Sequence, residues 1–276
     1  MPQAAVDEGV TLEYDTVGSG EPIVCIHGAF IANSFTQLLV EPRLAGYQRI
    51  TYRRRGYGGS SLGPMPGSIE RQAADCRRLL DQLRLERAHI VGHSLGGAIA
   101  LQLALDSPEA VQSLTLLEPA MILGEGADAY RESLRLNRLR AKTLGDAAIL
   151  DEFMVARWPA YTHAVLDSVV PGGFAQAVVD ARATFEVDFD GLLNWSFDEL
   201  AASKVTQPAL VVLGGASESL GPRFPETYRW LLDRLPASAG FVLPEATHFL
   251  HMEDASQSRT LAEVLDDFLS RHPTDG

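Results

Sequence analysis

Cysteine is nearly missing from this chain: there are two in 276 residues, Cys25 in an apolar run and Cys76 in a helical pattern. That excludes a disulfide framework and a zinc cluster, and both thiols read as small buried hydrophobes. Basic charge is scarce too, with 23 Lys and Arg against 36 Asp and Glu. A net charge of -13 repels phosphate backbones and anionic lipids, so neither nucleic-acid nor membrane binding is the main task. No stretch approaches the roughly 18 unbroken apolar residues of a membrane span. The start, "MPQAAVDEGV", is acidic where a secretory signal is basic and then apolar. A cytoplasmic protein is expected. Internal repeats, low-complexity segments and Pro/Gly-rich linkers are also lacking, which leaves one compact unit with no obvious break.

What is present is a rhythm of strands and helices. "VTLEYDTV" alternates apolar and polar residues as a half-buried strand does, and "IVCI" (23–26) is short, continuous and β-branched, as a strand covered on both faces should be. "QRITY" follows as a strand, then Ile69, Ala73, Cys76, Leu80 and Leu83 recur at helical spacing behind Ser68, a good N-cap. "AHIV" leads into "LGGAIALQLAL", apolar on nearly every side and so a buried helix. "SLTLL", "ALVVL" and "GFVL" read as further strands, and Leu261, Val264, Leu265, Phe268 and Leu269 as the core face of a last helix. The alternation predicts an α/β fold: a mostly parallel twisted sheet flanked by helices.

Between "SLTLL" and "ALVVL" the rhythm breaks. Residues 121–206 carry helical patterns and no convincing strand, as expected of an inserted helical cap, with 1–120 and 207–276 forming the core. Such a cap would lie over the C-terminal ends of the strands, where open α/β sheets bind ligands. Its aromatics (Phe153, Trp158, Tyr161, Phe174, Phe185, Phe189, Trp195, Phe197) are candidates for cap core or pocket lining. Arg131, Arg135, Arg138 and Lys142 recur at helical spacing and read as a solvated face, or as an attractor for an acidic substrate.

"GHSLG" (92–96) matches Gly-x-Ser-x-Gly. Composition alone produces that pattern in roughly one chain of this length in ten, so its weight comes from context. Here it follows a strand and opens a helix, which is the setting the motif requires. A strand turning sharply into a helix strains Ser94 and exposes its Oγ, while side chains at positions 92 or 96 would collide in the turn.

On these residues the chain resembles the α/β-hydrolase fold family, through most of its length outside the cap. "IHGAF" (26–30) is similar to the family's His-Gly turn, and the resemblance implies an oxyanion hole made by the backbone N–H groups of Ala29 and Leu95. "RRRGYGGS" (53–60) is similar to the loop usually written Asp-x-Arg-Gly-x-Gly-x-Ser, with Arg53 where an aspartate is common. Among the seven histidines, His248 in "PEATHFLHMED" lies after a strand and before the last helix, where the family carries its catalytic histidine. His251 is the nearest competitor and reads as a packing residue. His27 and His93 belong to the two turns; His89, His163 and His272 lie elsewhere.

The third member of a Ser-His-acid triad must reach the far nitrogen of His248. The family's commonest place for it, three residues after Gly214, holds Ser217, and Glu218 follows one residue late. A second place used in parts of the family is the end of the preceding strand, where "SLTLLEP" sets Glu118. Glu118 is preferred because it needs no register shift and Ser217 could support it by a hydrogen bond. Glu218 stays open as the alternative.

The expected function is hydrolysis of a small, largely apolar ester, lactone or related acyl compound through an acyl-enzyme on Ser94, with no metal and no organic cofactor. Activity should rise with pH through the imidazole range, roughly 6 to 7. Carbon–carbon bond hydrolysis, perhydrolysis and biosynthetic acyl transfer or cyclisation use the same triad and remain alternatives. So does a ligand-binding receptor without turnover. Haloalkane dehalogenase and epoxide hydrolase chemistry is disfavoured, since those relatives carry an aspartate where this chain has Ser94. The partner expected is a small molecule.

Overall fold

The computed structural model describes residues 1–63, 65 and 67–274. Strands β1 (Gln3–Asp7), β2 (Val10–Val17) and β3 (Pro22–Ile26) come first, then a single helical turn, α1 (Thr36–Leu39), and strand β4 (Gln48–Tyr52). Helix α2 (Ile69–Gln82), strand β5 (Ala88–His93), helix α3 (Leu95–Asp106) and strand β6 (Val111–Leu117) follow. Six helices then run without a strand: α4 (Ala127–Leu144), α5 (Asp146–Val155), α6 (His163–Val169), α7 (Gly173–Ala183), α8 (Phe189–Asn194) and α9 (Glu199–Lys204). Strand β7 (Ala209–Gly214), helix α10 (Arg223–Arg234), strand β8 (Ser238–Leu243) and helix α11 (Ala255–Ser270) close the chain.

The strands form one sheet in the order β1-β2-β4-β3-β5-β6-β7-β8. β1, β2 and β4 pair antiparallel, and the five ladders from β4 through to β8 are parallel. Successive residues of the central strands feed opposite cores, as period-2 geometry demands. Val24, Ile26, Ile90, Leu114 and Leu116 join the core under α2 and α3, while Ile23, Cys25, Val91 and Leu117 join the one under α1 and α11. Burial on both faces explains why these strands are unbroken apolar runs.

The helices behind Ser68, after "GHSLG" and at the end of the chain form where the sequence places them, whereas α1 and α10 have no counterpart there. Ser68 caps α2, its hydroxyl accepting from Arg71 N–H at 3.1 Å, and α3 is buried from Leu95 to Ala104. β1 has no counterpart in the sequence reading. Only Ala4 and Val6 of it face the core, too little apolar surface to announce a strand. Among the described residues, no helix is long and apolar enough to cross a membrane.

Candidate active site

The strand-to-helix turn after β5 holds Ser94 at φ 51° and ψ -117°, a left-handed conformation that costs a non-glycine residue on the order of 1–3 kcal/mol. Neighbouring backbone forces it. A Cβ at position 92 would lie 2.4 Å from the Gly96 carbonyl oxygen, and one at 96 only 2.0 Å from the Ile26 carbonyl oxygen. Gly92 thus closes the turn on itself, whereas Gly96 lets α3 abut the end of β3. Phe30 (φ 66°) and Glu118 (φ 43°) share the strained region, so three of the five such non-glycine residues described cluster here.

Ser94 Oγ lies 3.1 Å from His248 Nε2, and His248 Nδ1 lies 2.8 Å from Glu118 Oε2. The other carboxylate oxygen of Glu118 accepts from Gly214 N–H at 2.8 Å. β6 and β7 pair in register up to Leu117 and Val212, and Glu118 N–H donates to the Val212 carbonyl at 3.1 Å. Glu118 therefore stands at the strand end with its carboxylate reaching across β7. Ser217 is buried nearby; its hydroxyl falls outside strict hydrogen-bond geometry, yet it favours the charged form of Glu118. Glu218 is exposed and makes no hydrogen bond to His248.

Electrostatics follow burial. Desolvation pushes the Glu118 carboxyl up to about 7, against the pull of Ser217, the Gly214 N–H and the Arg223 charge. Desolvation, then Arg223 and Arg157, hold His248 well below the ordinary imidazole range. An imidazole kept neutral at neutral pH, its Nδ1–H directed at a carboxylate, leaves Nε2 free to accept a proton from Ser94.

The remaining histidines are occupied otherwise. His27 Nε2 accepts from Arg54 N–H at 3.1 Å and its Nδ1 donates to the Gly28 carbonyl at 2.7 Å. His93 Nε2 binds the His248 carbonyl at 2.9 Å. His251 is fully buried between Phe35 and His93, with ring centroids 4.6 and 4.3 Å away, and no hydrogen bond to either nitrogen. Among the described residues, the N–H groups of Ala29 and Leu95 have no hydrogen-bond acceptor, whereas Phe30 N–H donates to Thr184 Oγ1 at 3.1 Å.

The loop at 53–60 replaces its missing aspartate. Gly59 N–H donates to Glu13 Oε2 at 3.0 Å and Gly58 N–H to Asp180 Oδ1 at 3.0 Å, while Arg55 pairs with buried Asp75. Arg54, fully buried, donates to both Asp188 oxygens at 2.6 and 2.7 Å and to the carbonyls of His27 and Gly28 at 3.0 and 2.9 Å. Asp188 ends a wide π-type turn at Thr184–Asp188 and also accepts from Tyr57 at 2.5 Å. The helical insertion is thereby fastened to the backbone around Ala29. The only signal was an extra arginine in "RRRG", and its partner stands 134 residues away.

Most of the insertion's aromatics are buried. Phe153, Phe185 and Phe189 gather around Phe30 with ring centroids 4.8, 5.5 and 6.3 Å away, and Ser94 beneath is 8% exposed. A cavity of about 190 Å³ is lined by Ala32, Phe35, Val40, Arg49 and Arg53 among others, and Ser94, His248 and Glu118 are not part of its lining. The arginine row of α4 dissolves into ion pairs, Arg131 with Asp128, Arg135 with Glu132 and Arg138 with Asp190.

Comparison with known proteins agrees with this architecture. The α/β hydrolase fold family model matches residues 21–255. A fluoroacetate dehalogenase from a Burkholderia species is 37% identical over 135 residues, 45% of this chain and 44% of that protein. Among solved structures, Est816, described as an N-acyl homoserine lactone degrading enzyme, superposes with a TM-score of 0.74 at 25% identity, over 97% of this chain and 100% of that one. A thermophilic esterase from Thermogutta terrifontis gives 0.81 at 20% identity, over 96% and 95%, a likeness of fold. The chain spans 40 to 66% of the length of the first curated relatives it matches.

Proposed function

Because the chain belongs to the α/β-hydrolase fold family, an enzyme fold, we propose that it is a serine hydrolase cleaving a small ester, lactone or related acyl compound through a Ser94-His248-Glu118 triad. The observation that carries the reading is the continuous line from Ser94 Oγ through the imidazole to Glu118, with links of 3.1 and 2.8 Å. Ser94 Oγ attacks the carbonyl carbon as Nε2 takes its proton, and the alkoxide oxygen that forms takes hydrogen bonds from the N–H groups of Ala29 and Leu95. Collapse of the tetrahedral adduct returns the proton to the leaving alcohol and leaves an acyl-serine. Water, deprotonated by the same nitrogen, then releases the acid. Glu118 keeps the proton of the neutral imidazole on Nδ1 and stabilises the imidazolium of each transition state.

Residues 121–206 act as the cap in this proposal, over a core of 1–120 and 207–276. The names of the similar proteins, a lactone-degrading enzyme and an esterase, favour acyl substrates. The dehalogenase relative does not turn the reading toward halide displacement, because the nucleophile position here is a serine. A panel of p-nitrophenyl esters, lactones and β-diketones against wild type and Ser94→Ala tests the proposal. Ester or lactone turnover lost in Ser94→Ala is expected. Turnover of β-diketones alone would move the reading to carbon–carbon bond hydrolysis, and binding without turnover to a receptor.

A further inference from the structure

Among the described residues, two arginines near the histidine make no ion pair. Arg157 follows α5. Its carbonyl accepts from Thr247 Oγ1 at 3.1 Å, next to His248, and its guanidinium lies 3.6 Å over the Phe153 ring with Nη1 donating to the Phe153 carbonyl at 3.1 Å. Arg223 opens α10, with its guanidinium 4.0 Å over Tyr130 and 4.5 Å over Phe224. Phe224 in turn packs on the His248 ring at 4.8 Å between centroids. Each arginine is therefore one residue removed from the imidazole, Arg157 through Thr247 and Arg223 through Phe224, one from the insertion and one from the core.

Among the described residues neither makes an ion pair, although the chain carries a large excess of acid. The nearby carboxylates are committed: Glu118 to His248 and Gly214 N–H, and Glu253 to Thr247 and the N–H groups of Thr247 and Phe249. Arg157 feels this crowding. Burial first, and the like charge of Arg223 second, push it to about 9, still protonated at neutral pH. Two partly buried guanidinium groups held against aromatic faces, neither in an ion pair, are chemically suited to an anion, with the charge of Arg223 also felt at Glu118. Both are close enough to the reacting histidine for their charges to act on it.

We propose that Arg157 and Arg223 form the subsite for a carboxylate carried by the substrate, so that the ester or lactone cleaved at Ser94 is a monoanion. This rests on the hydrolase reading and replaces the largely apolar substrate expected from the sequence with an anionic one. Two guanidinium forks match a carboxylate. A dianion such as a phosphate monoester would bring a second negative charge close to Glu118. The periodic row on α4 is excluded from the role because Arg131, Arg135 and Arg138 already have acidic neighbours.

The test is a matched pair of activated esters, mono-p-nitrophenyl glutarate and the neutral p-nitrophenyl valerate. Wild type is expected to favour the anionic ester at least tenfold in kcat/KM, mainly through KM. Arg157→Met and Arg223→Met should each lower the anionic-to-neutral ratio about tenfold, Arg157→Lys less, and Arg131→Gln not at all. The same preference is read without turnover by calorimetric binding of the two esters to Ser94→Ala protein, whose near-ultraviolet spectrum reports a native fold. No preference in binding, or arginine variants that leave the binding ratio unchanged, overturns the subsite. Retained anion preference in binding with no turnover by wild type overturns the hydrolase reading alone.

Discussion

The ends of β6 and β7 lie side by side, parallel and in register, yet they contribute opposite things to the site. β6 ends in a strained, buried glutamate whose carboxylate faces the imidazole. β7 ends in a glycine that gives that carboxylate an N–H, a buried serine beside it, and a glutamate turned out to solvent. In the proposed triad the acid is thus a property of the strand crevice rather than of one loop offset. Any strand end within reach of the far imidazole nitrogen can supply it, provided the neighbouring strand satisfies the second carboxylate oxygen.

The contrast can be broken in stages. Glu118→Gln is expected to lower kcat by about 10³ to 10⁴ while the circular dichroism spectrum is kept, because the amide cannot stabilise the imidazolium. Moving the acid back to β7, with Ser217→Asp in the Glu118→Gln background, should recover at least about tenfold of that loss. No recovery would mean that the β7 position is out of reach of Nδ1. The acidic limb of kcat/KM should fall as pH drops through about 7, where the raised Glu118 carboxyl takes a proton and the pair loses its negative charge. In Glu118→Gln that limb should vanish.

A smaller effect concerns stability. A carboxyl raised in the folded state costs nothing below its ordinary range and destabilises the fold as pH rises through its native value. Glu118→Gln should therefore gain on wild type between pH 5 and pH 8.5, by roughly 1–2 kcal/mol or a few degrees in Tm. A constant difference in Tm across that range would contradict the buried-carboxylate account. Smallest of all, Glu218→Gln is expected to change kcat/KM by less than about twofold, as for an exposed carboxylate.

Much of this was legible in the chain. The central strands announce themselves because burial on two faces demands unbroken apolar runs, and "GHSLG" stands between such a strand and an all-apolar helix, the setting its motif requires. Glu118 was legible as a carboxylate at a strand end, though its reach across β7 to Gly214 depends on register, which no single strand reveals. Periodicity gave the helices of the insertion but not their partners. Asp188 reaches Arg54 across 134 residues, and Arg157 and Arg223 belong to no motif. The row of α4 carried a periodic signal, and its three arginines turned out to be paired with acids. Periodicity reports a helix face, whereas a charge without an ion-pair partner becomes visible only when the nearby acids are accounted for.

Labelling with a fluorophosphonate, followed by intact-protein and peptide mass spectrometry, tests the central claim most directly. The account predicts a single adduct on Ser94 in native protein, none in Ser94→Ala, and slow labelling in Glu118→Gln. Native, folded protein that stays unlabelled, or an equal adduct in Ser94→Ala, would contradict it.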